Sequence, residues 1–116
     1  MTELNYQELS ETLCSILKQA VEKDQPSWLK HRNTPDVKTV AESIVSIVHK
    51  LNKRLEQKSS STFISSHEIL GIVSEEFREF EDEVRKNDQV GIREELIDIA
   101  VGCIWGLVSI ETGVDW

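Results

Sequence analysis

The segment from Gln89 to Glu111 constrains the fold more than any other part of this chain. At about 100° per residue, Leu96, Ile99, Ala100, Cys103, Ile104, Leu107, Val108 and Ile110 cover most of a helix's circumference. A helix that is apolar nearly all round belongs at the centre of a packed structure. Its polar sector is a narrow strip holding Glu94, Glu95, Asp98 and Ser109, with Gly102 in line one turn beyond Asp98. The longest apolar stretch, Ile97 to Ile110, is broken by Asp98, Gly102, Gly106 and Ser109 and falls short of the about 20 residues that span a bilayer. A buried core helix is the expectation, with no membrane partner.

Three more segments carry apolar residues at helical spacing behind a start signal. The first, about 5–22, places Tyr6, Leu9, Leu13, Ile16, Leu17 and Ala20 on one side behind Asn5-x-x-Glu8. The second, about 35–56, opens at Thr34-Pro35, a cap followed by a residue suited to the first helical position. Its stripe is Val37, Val40, Ala41, Ile44, Val48, Leu51 and Leu55. The third follows the cap Ser65 and runs to about Lys86, and the fourth begins after Asp88 and ends before Gly113. Gln57 to Thr62 is Ser-rich and reads as a loop. Only five Gly and two Pro, and no alternating pattern, exclude a turn-rich β fold. The prediction is a single all-α domain over 1–116, an antiparallel four-helix bundle-like arrangement whose last two helices, about 66–111, form a hairpin. The fourth helix has more apolar surface than so small a monomer hides, so a homodimer is predicted to complete the core.

Charge narrows the function. Thirteen Lys and Arg against 21 Asp and Glu give a net charge of -8, which argues against a nucleic-acid backbone as partner. Between Glu68 and Asp98 there are 11 acids and 4 bases, so the negative charge is concentrated in the third and fourth segments. In the third, Ile69, Leu70, Ile72, Val73, Phe77, Phe80 and Val84 fill an arc of roughly 160° expected to face the core. Glu76 falls inside that arc, Glu79 at its edge and Glu83 just inside it one turn on. A carboxylate in an apolar stripe costs several kcal/mol to desolvate unless a cation or donors meet it. Glu76 with Glu79, and Glu95 with Asp98, are carboxylate pairs three residues apart on one face. An antiparallel hairpin can bring the pairs together, and the only base expected near these sectors is Lys86, about two turns beyond Glu79. Hard divalent cations suit such oxygen ligands, with Mg²⁺ or Mn²⁺ the natural candidates. Glu75, off the core face, is a candidate base or outer partner; Glu81 and Asp82 read as a solvated face. None of His31, His49 or His67 has an acid three residues earlier, which argues against the Glu-x-x-His pairs of di-iron bundles.

At these residues the chain resembles the MazG-like family of all-α nucleoside triphosphate pyrophosphohydrolases, whose signature is EExxE followed by ExxD. The match is Glu75-Glu76-Phe77-Arg78-Glu79 and, after fifteen intervening residues, Glu95-Leu96-Ile97-Asp98. The resemblance implies a Mg²⁺-dependent hydrolase that cleaves a nucleoside triphosphate to the monophosphate and pyrophosphate, acting as a dimer or a pair of dimers. It makes Glu75, Glu76, Glu79, Glu95 and Asp98 the catalytic set and the last four of these the metal ligands. Two departures stand out. Arg78 replaces a frequent Gly, and the family's further helix with phosphate-binding Asn, Lys or Arg has no counterpart before Trp116. Phosphate-binding cations are then expected from Lys50, Lys53 or Arg54, from His31-Arg32, or from a partner subunit. Trp28, Asn52 and Trp105 are candidates for contacting the base. The alternative is a helical dimer that kept the fold without catalysis and serves as an interaction or regulatory module. Gly102 and Gly106, four apart, suit close helix packing, with space for a substrate as the second reading. Cys14 and Cys103 lie in apolar periodic segments without metal-ligand spacing and are expected to be buried thiols in a reducing, cytoplasmic setting. No signal peptide is apparent at the first residues.

Overall fold

Each helix begins where a side chain can take over an orphaned backbone amide. Asn5 Oδ1 accepts from the Glu8 amide at 3.0 Å, Asp36 Oδ1 from Thr39 at 2.7 Å, Ser65 Oγ from Glu68 at 3.3 Å, and Asp88 Oδ1 from Val90 and Gly91 at 3.1 and 3.2 Å. The structure is a computed structural model that describes residues 5–23, 35–58 and 61–113. These form four helices, α1 (Tyr6–Val21), α2 (Val37–Lys58), α3 (Ser66–Lys86) and α4 (Gln89–Thr112), with no strand among the described residues. The all-α expectation holds, and no helix among those residues is long and apolar enough to cross a membrane.

The start of α2 differs from expectation. Pro35 stands before the cap and Asp36 supplies the capping oxygen, since an aspartate is the stronger cap and carries a charge that favours a helix N-terminus. Thr34 lies outside the described residues. At the other end α2 takes in Gln57 and Lys58, which the Ser-rich reading had assigned to a loop.

The helices fall into two compact units, Met1–His49 and Lys50–Trp116. In the first, the Tyr6 ring meets the His49 ring edge-on at 4.9 Å, and Cys14 Sγ lies 3.9 Å from the Val37 carbonyl oxygen, so α1 and the first part of α2 run antiparallel. Ala41 is fully buried there, whereas Ile16, assigned to the apolar side of α1, is exposed.

The second unit holds α3 and α4, joined only by Asn87 and Asp88. Asn87 adopts a left-handed conformation at φ 56° and closes α3, its amide donating to the Val84 carbonyl. Asn tolerates this conformation better than most residues, through local hydrogen bonding. As α3 runs from Ile69 to Glu83, the positions it meets on α4 run back from Gly106 to Gly91, which makes the pair an antiparallel hairpin. The segment before α3 is fastened to α4. The Phe63 amide donates to Ser109 Oγ at 3.0 Å, and the Trp105 indole N–H donates to the Ser61 carbonyl at 2.8 Å. Among the described residues of this unit, the buried apolar side chains are Phe63, Val101 and Trp105.

The expectation that α4 is nearly surrounded, and that the α3 arc faces a core, is corrected within this chain. Leu107 is 63 % exposed, Phe77 51 % and Leu96 49 %, and Leu70, Ile72, Val84 and Val108 are also solvent-accessible. The hairpin covers one side of each helix and leaves apolar residues on the others. Cys103, on that open side of α4, is exposed, and Cys14 is half-buried, so neither is the buried thiol expected.

Candidate metal and anion site

The antiparallel register sets Glu76 and Glu79 of α3 opposite Glu95 of α4. One carboxylate oxygen of each lies within 4.8 Å of the others. Glu76 and Glu95 are half-buried and Glu79 is exposed. As carboxylates, Glu76 and Glu95 each bury one oxygen, Oε2, that finds no hydrogen-bond donor. Such an atom forfeits its hydration without return. The electrostatics agree: burial, then repulsion from Glu79, Asp98 and Glu95, pushes the Glu76 carboxyl up to about 7. Burial, followed by Glu79 and Asp98, also raises Glu95. A protonated Glu76 can donate to its neighbours, and its raised carboxyl retains a proton near neutrality. A divalent cation answers the same need more completely, and oxygen donors without a competing base fit a hard ion.

Asp98, the fourth expected ligand, stands apart from this trio. It is close enough to raise Glu76, yet its Oδ1 is 3.3 Å from Lys50 Nζ of α2. The expectation that Lys86 is the only base near these sectors is therefore corrected. Lys86 pairs with Glu83 at 3.5 Å, and the cation facing the acidic strip comes from α2. Glu83 lies against Gly91 at the start of α4 and does not extend the trio. Glu75 is exposed on α3 and outside the trio.

Beside the carboxylates opens a pocket of about 450 Å³ with three kinds of wall. Glu76 and Asp98 are acidic; Lys50, Lys53 and Arg54 are basic; Phe63, Ile72 and Val101 are apolar. Lys53 thus borders the site as the sequence suggested. Asn52 does not: its side-chain amide donates to Glu56 at 3.4 Å along its own helix. Trp105 is buried behind the pocket wall rather than in it. Trp28 and His31-Arg32 lie outside the described residues. The basic side of the pocket had a signal in the sequence, since Lys50, Lys53 and Arg54 at spacings of three and four share one helix face. Gln57, three beyond Arg54, continues that face, whereas the contribution of Phe63 had no such signal, because it depends on how the Ser61–Phe63 segment returns to α4.

The two glycines of α4 separate. A Cβ at Gly106 would come 3.1 Å from Ile69 Cγ2, whereas one at Gly102 would meet nothing within 4 Å, because Gly102 borders the pocket. Gly106 is the packing glycine and Gly102 the one that leaves space. Gly102→Ala is expected to stabilise the protein by about 0.5–1 kcal/mol through helix propensity. Gly106→Ala is expected to fall about 1 kcal/mol below that, because a β-branched neighbour must shift. Urea unfolding of the two variants measures the difference.

Fold and site together define a class: an all-helical protein with an inter-helix carboxylate trio bordering a cationic pocket. Compared with models of known protein families, with curated proteins and with solved structures, the chain matches none of them.

Proposed function

We propose that this chain is a divalent-metal-dependent nucleoside triphosphate pyrophosphohydrolase, releasing pyrophosphate and the nucleoside monophosphate. The observation that carries the reading is the pair of buried, donorless oxygens on Glu76 and Glu95, beside a pocket whose opposite wall is basic. Carboxylates alone would repel a phosphate, and lysines alone would not require the carboxylates. A polyanion that arrives with a divalent cation satisfies both walls. Glu76, Glu79 and Glu95 would hold Mg²⁺, or Mn²⁺, with Asp98 available on release from Lys50. Bound there, the metal supplies charge neutralisation and an acidified water for attack on phosphorus. Lys50, Lys53 and Arg54 attract the phosphate oxygens, and a Lys50 drawn to phosphate frees Asp98 for the acidic strip. Phe63, Ile72 and Val101 give the organic part of the nucleotide an apolar wall, and Gly102 leaves it room.

The exposed apolar residues of α3 and α4 support the second part of the reading, a homodimer in which a second copy covers Phe77, Leu96 and Leu107. Light scattering on a sizing column is expected to give a dimer or a pair of dimers. The chain's two free thiols suit a cytoplasmic setting. Calorimetric titration with Mg²⁺, followed by pyrophosphate release across a panel of ribo- and deoxyribonucleoside triphosphates, tests the activity. Saturable Mg²⁺ binding with release from at least one nucleotide is the expected result. Mg²⁺ binding without release from any nucleotide would instead point to an interaction module that kept the fold without catalysis.

A further inference from the structure

Among the described residues, Arg54 is the one guanidinium of the pocket, and it is held in an unusual way for so acidic a chain. Its Cζ lies 5.0 Å from the Trp105 ring centroid and 5.8 Å from that of Phe63. None of the ion pairs among the described residues includes Arg54 or Lys53, although acids outnumber bases 21 to 13 in the sequence. Lys50 and Arg54 are also four apart on α2, a spacing at which like charges repel. A cation kept beside two others and in none of those ion pairs is poised for an anion from outside.

The two rings are fixed before any ligand arrives. Trp105 is 6 % exposed, and its indole N–H is committed to the Ser61 carbonyl. Phe63 is 7 % exposed, and its amide donates to Ser109 Oγ, whose own hydroxyl donates to the Trp105 carbonyl at 2.8 Å. Ser109 is fully buried, so this link is shielded from water. Rings pinned in this way offer the guanidinium π surfaces while its N–H groups remain available to an anion. A guanidinium fork suits two phosphate oxygens, which an ammonium cannot match.

We propose that Arg54 is a direct phosphate-binding residue of the pocket, and that Trp105 is a positioning residue that acts through it, the Ser61–Phe63 segment being the strap that seats the ring. This rests on reading the pocket as a phosphate site, but not on hydrolysis. The test is therefore binding of inorganic triphosphate, measured calorimetrically at low ionic strength, once with EDTA and once with Mg²⁺. Arg54→Lys keeps the charge and is expected to weaken binding about tenfold. Trp105→Leu is expected to weaken it by a similar factor, and Trp105→Phe, which keeps a ring, by less than threefold. The double variant Arg54→Lys/Trp105→Leu should be no worse than Arg54→Lys alone, because the second change acts through the first. The indole N–H resonance of Trp105, assigned by its loss in Trp105→Phe, is expected to shift on adding triphosphate to the unsubstituted protein and to stay in place in Arg54→Lys. Should Trp105→Leu fail to fold, Arg54→Lys and that resonance still decide the matter. Binding by Arg54→Lys within twofold of the unsubstituted protein in both conditions overturns the proposal, as does absence of triphosphate binding in both. Triphosphate binding that follows this pattern while no nucleotide is hydrolysed supports it and removes the pyrophosphohydrolase reading. Hydrolysis that is indifferent to Arg54→Lys does the reverse.

Discussion

Glu76→Gln is expected to make the metal-free protein more stable at pH 8 while abolishing Mg²⁺ binding and pyrophosphate release. At that pH the Glu76 carboxyl, which titrates near 7, is charged and sits among Glu79, Asp98 and Glu95 with one oxygen buried and donorless. An amide of the same shape removes the repulsion and brings two N–H donors that Glu79 and Glu95 can accept. The gain should be on the order of 1–2 kcal/mol, after allowing for solvent screening of a half-buried group. That corresponds to roughly 4–8 °C in the thermal midpoint of a domain this size. Near pH 5 the native Glu76 is itself protonated, so the gain should shrink towards zero. For Mg²⁺ the sign reverses: one of three clustered anionic ligands is lost, and affinity should fall by at least about a hundredfold, or nearly 3 kcal/mol. Glu79→Gln and Asp98→Asn are expected to lose activity in the same way. Of these two, only Asp98→Asn also disturbs an ion pair, the one with Lys50. Thermal melts at pH 5 and pH 8, with and without Mg²⁺, read the stability and metal-binding effects, and a pyrophosphate-release assay reads the activity. A Glu76→Gln protein that binds Mg²⁺ like its parent, or melts lower at pH 8, would remove the trio as the metal site.

The trio was legible in the sequence because both of its requirements are local. Helical period alone sets Glu76 inside an apolar arc and leaves Glu95 and Asp98 on a narrow polar strip of α4, and a two-residue connector makes the helices neighbours. What the period could not supply was which base meets Asp98. Whether Lys50 or Lys86 faces Asp98 depends on the placement of α2, which no pattern within α3 or α4 encodes. The same holds for the role of Trp105. A tryptophan on an apolar helix reads as a base contact or a core residue with equal ease. Only the return of Ser61 and Phe63 to α4 turns it into the support behind Arg54. The burial of α4 departs from its sequence pattern for a related reason. An apolar circumference says that a helix must be covered, but not whether its own chain covers it, and Leu96, Cys103 and Leu107 remain open here. The start of α2 shows how close such decisions are. Thr34-Pro35 and Asp36 are adjacent signals of the same kind, and the charged oxygen of Asp36 takes the Thr39 amide.

The metal-free protein is expected to lose stability as pH rises from about 4.5 to about 7, and Mg²⁺ is expected to cancel most of that loss. Glu76 titrates at about 7 in the folded chain against an ordinary 4.5. Between those values the folded state holds a proton that the unfolded state has released. Stability then falls with rising pH across the window and levels off above it, where both states are deprotonated. Glu95, also raised, adds a slope of the same sign. Asp36 runs the other way: the Thr39 amide holds its carboxyl below the ordinary 3.8, so its contribution is lost only as the solution becomes more acidic than that. The two effects occupy separate windows, and the fall between about 4.5 and 7 belongs to Glu76 and Glu95. A cation bound to the carboxylates favours their deprotonated form, so Mg²⁺ binding should expel protons below about pH 7 and strengthen as pH rises. Calorimetry at pH 6.5 in buffers of different ionisation enthalpy counts the released protons directly. Between about 0.5 and 1 per ion is expected there, declining towards zero by pH 8.5. No proton release at pH 6.5, together with a metal-free stability that is flat between pH 5 and 7, would mean that the carboxyls of Glu76 and Glu95 are already neutralised by the protein itself.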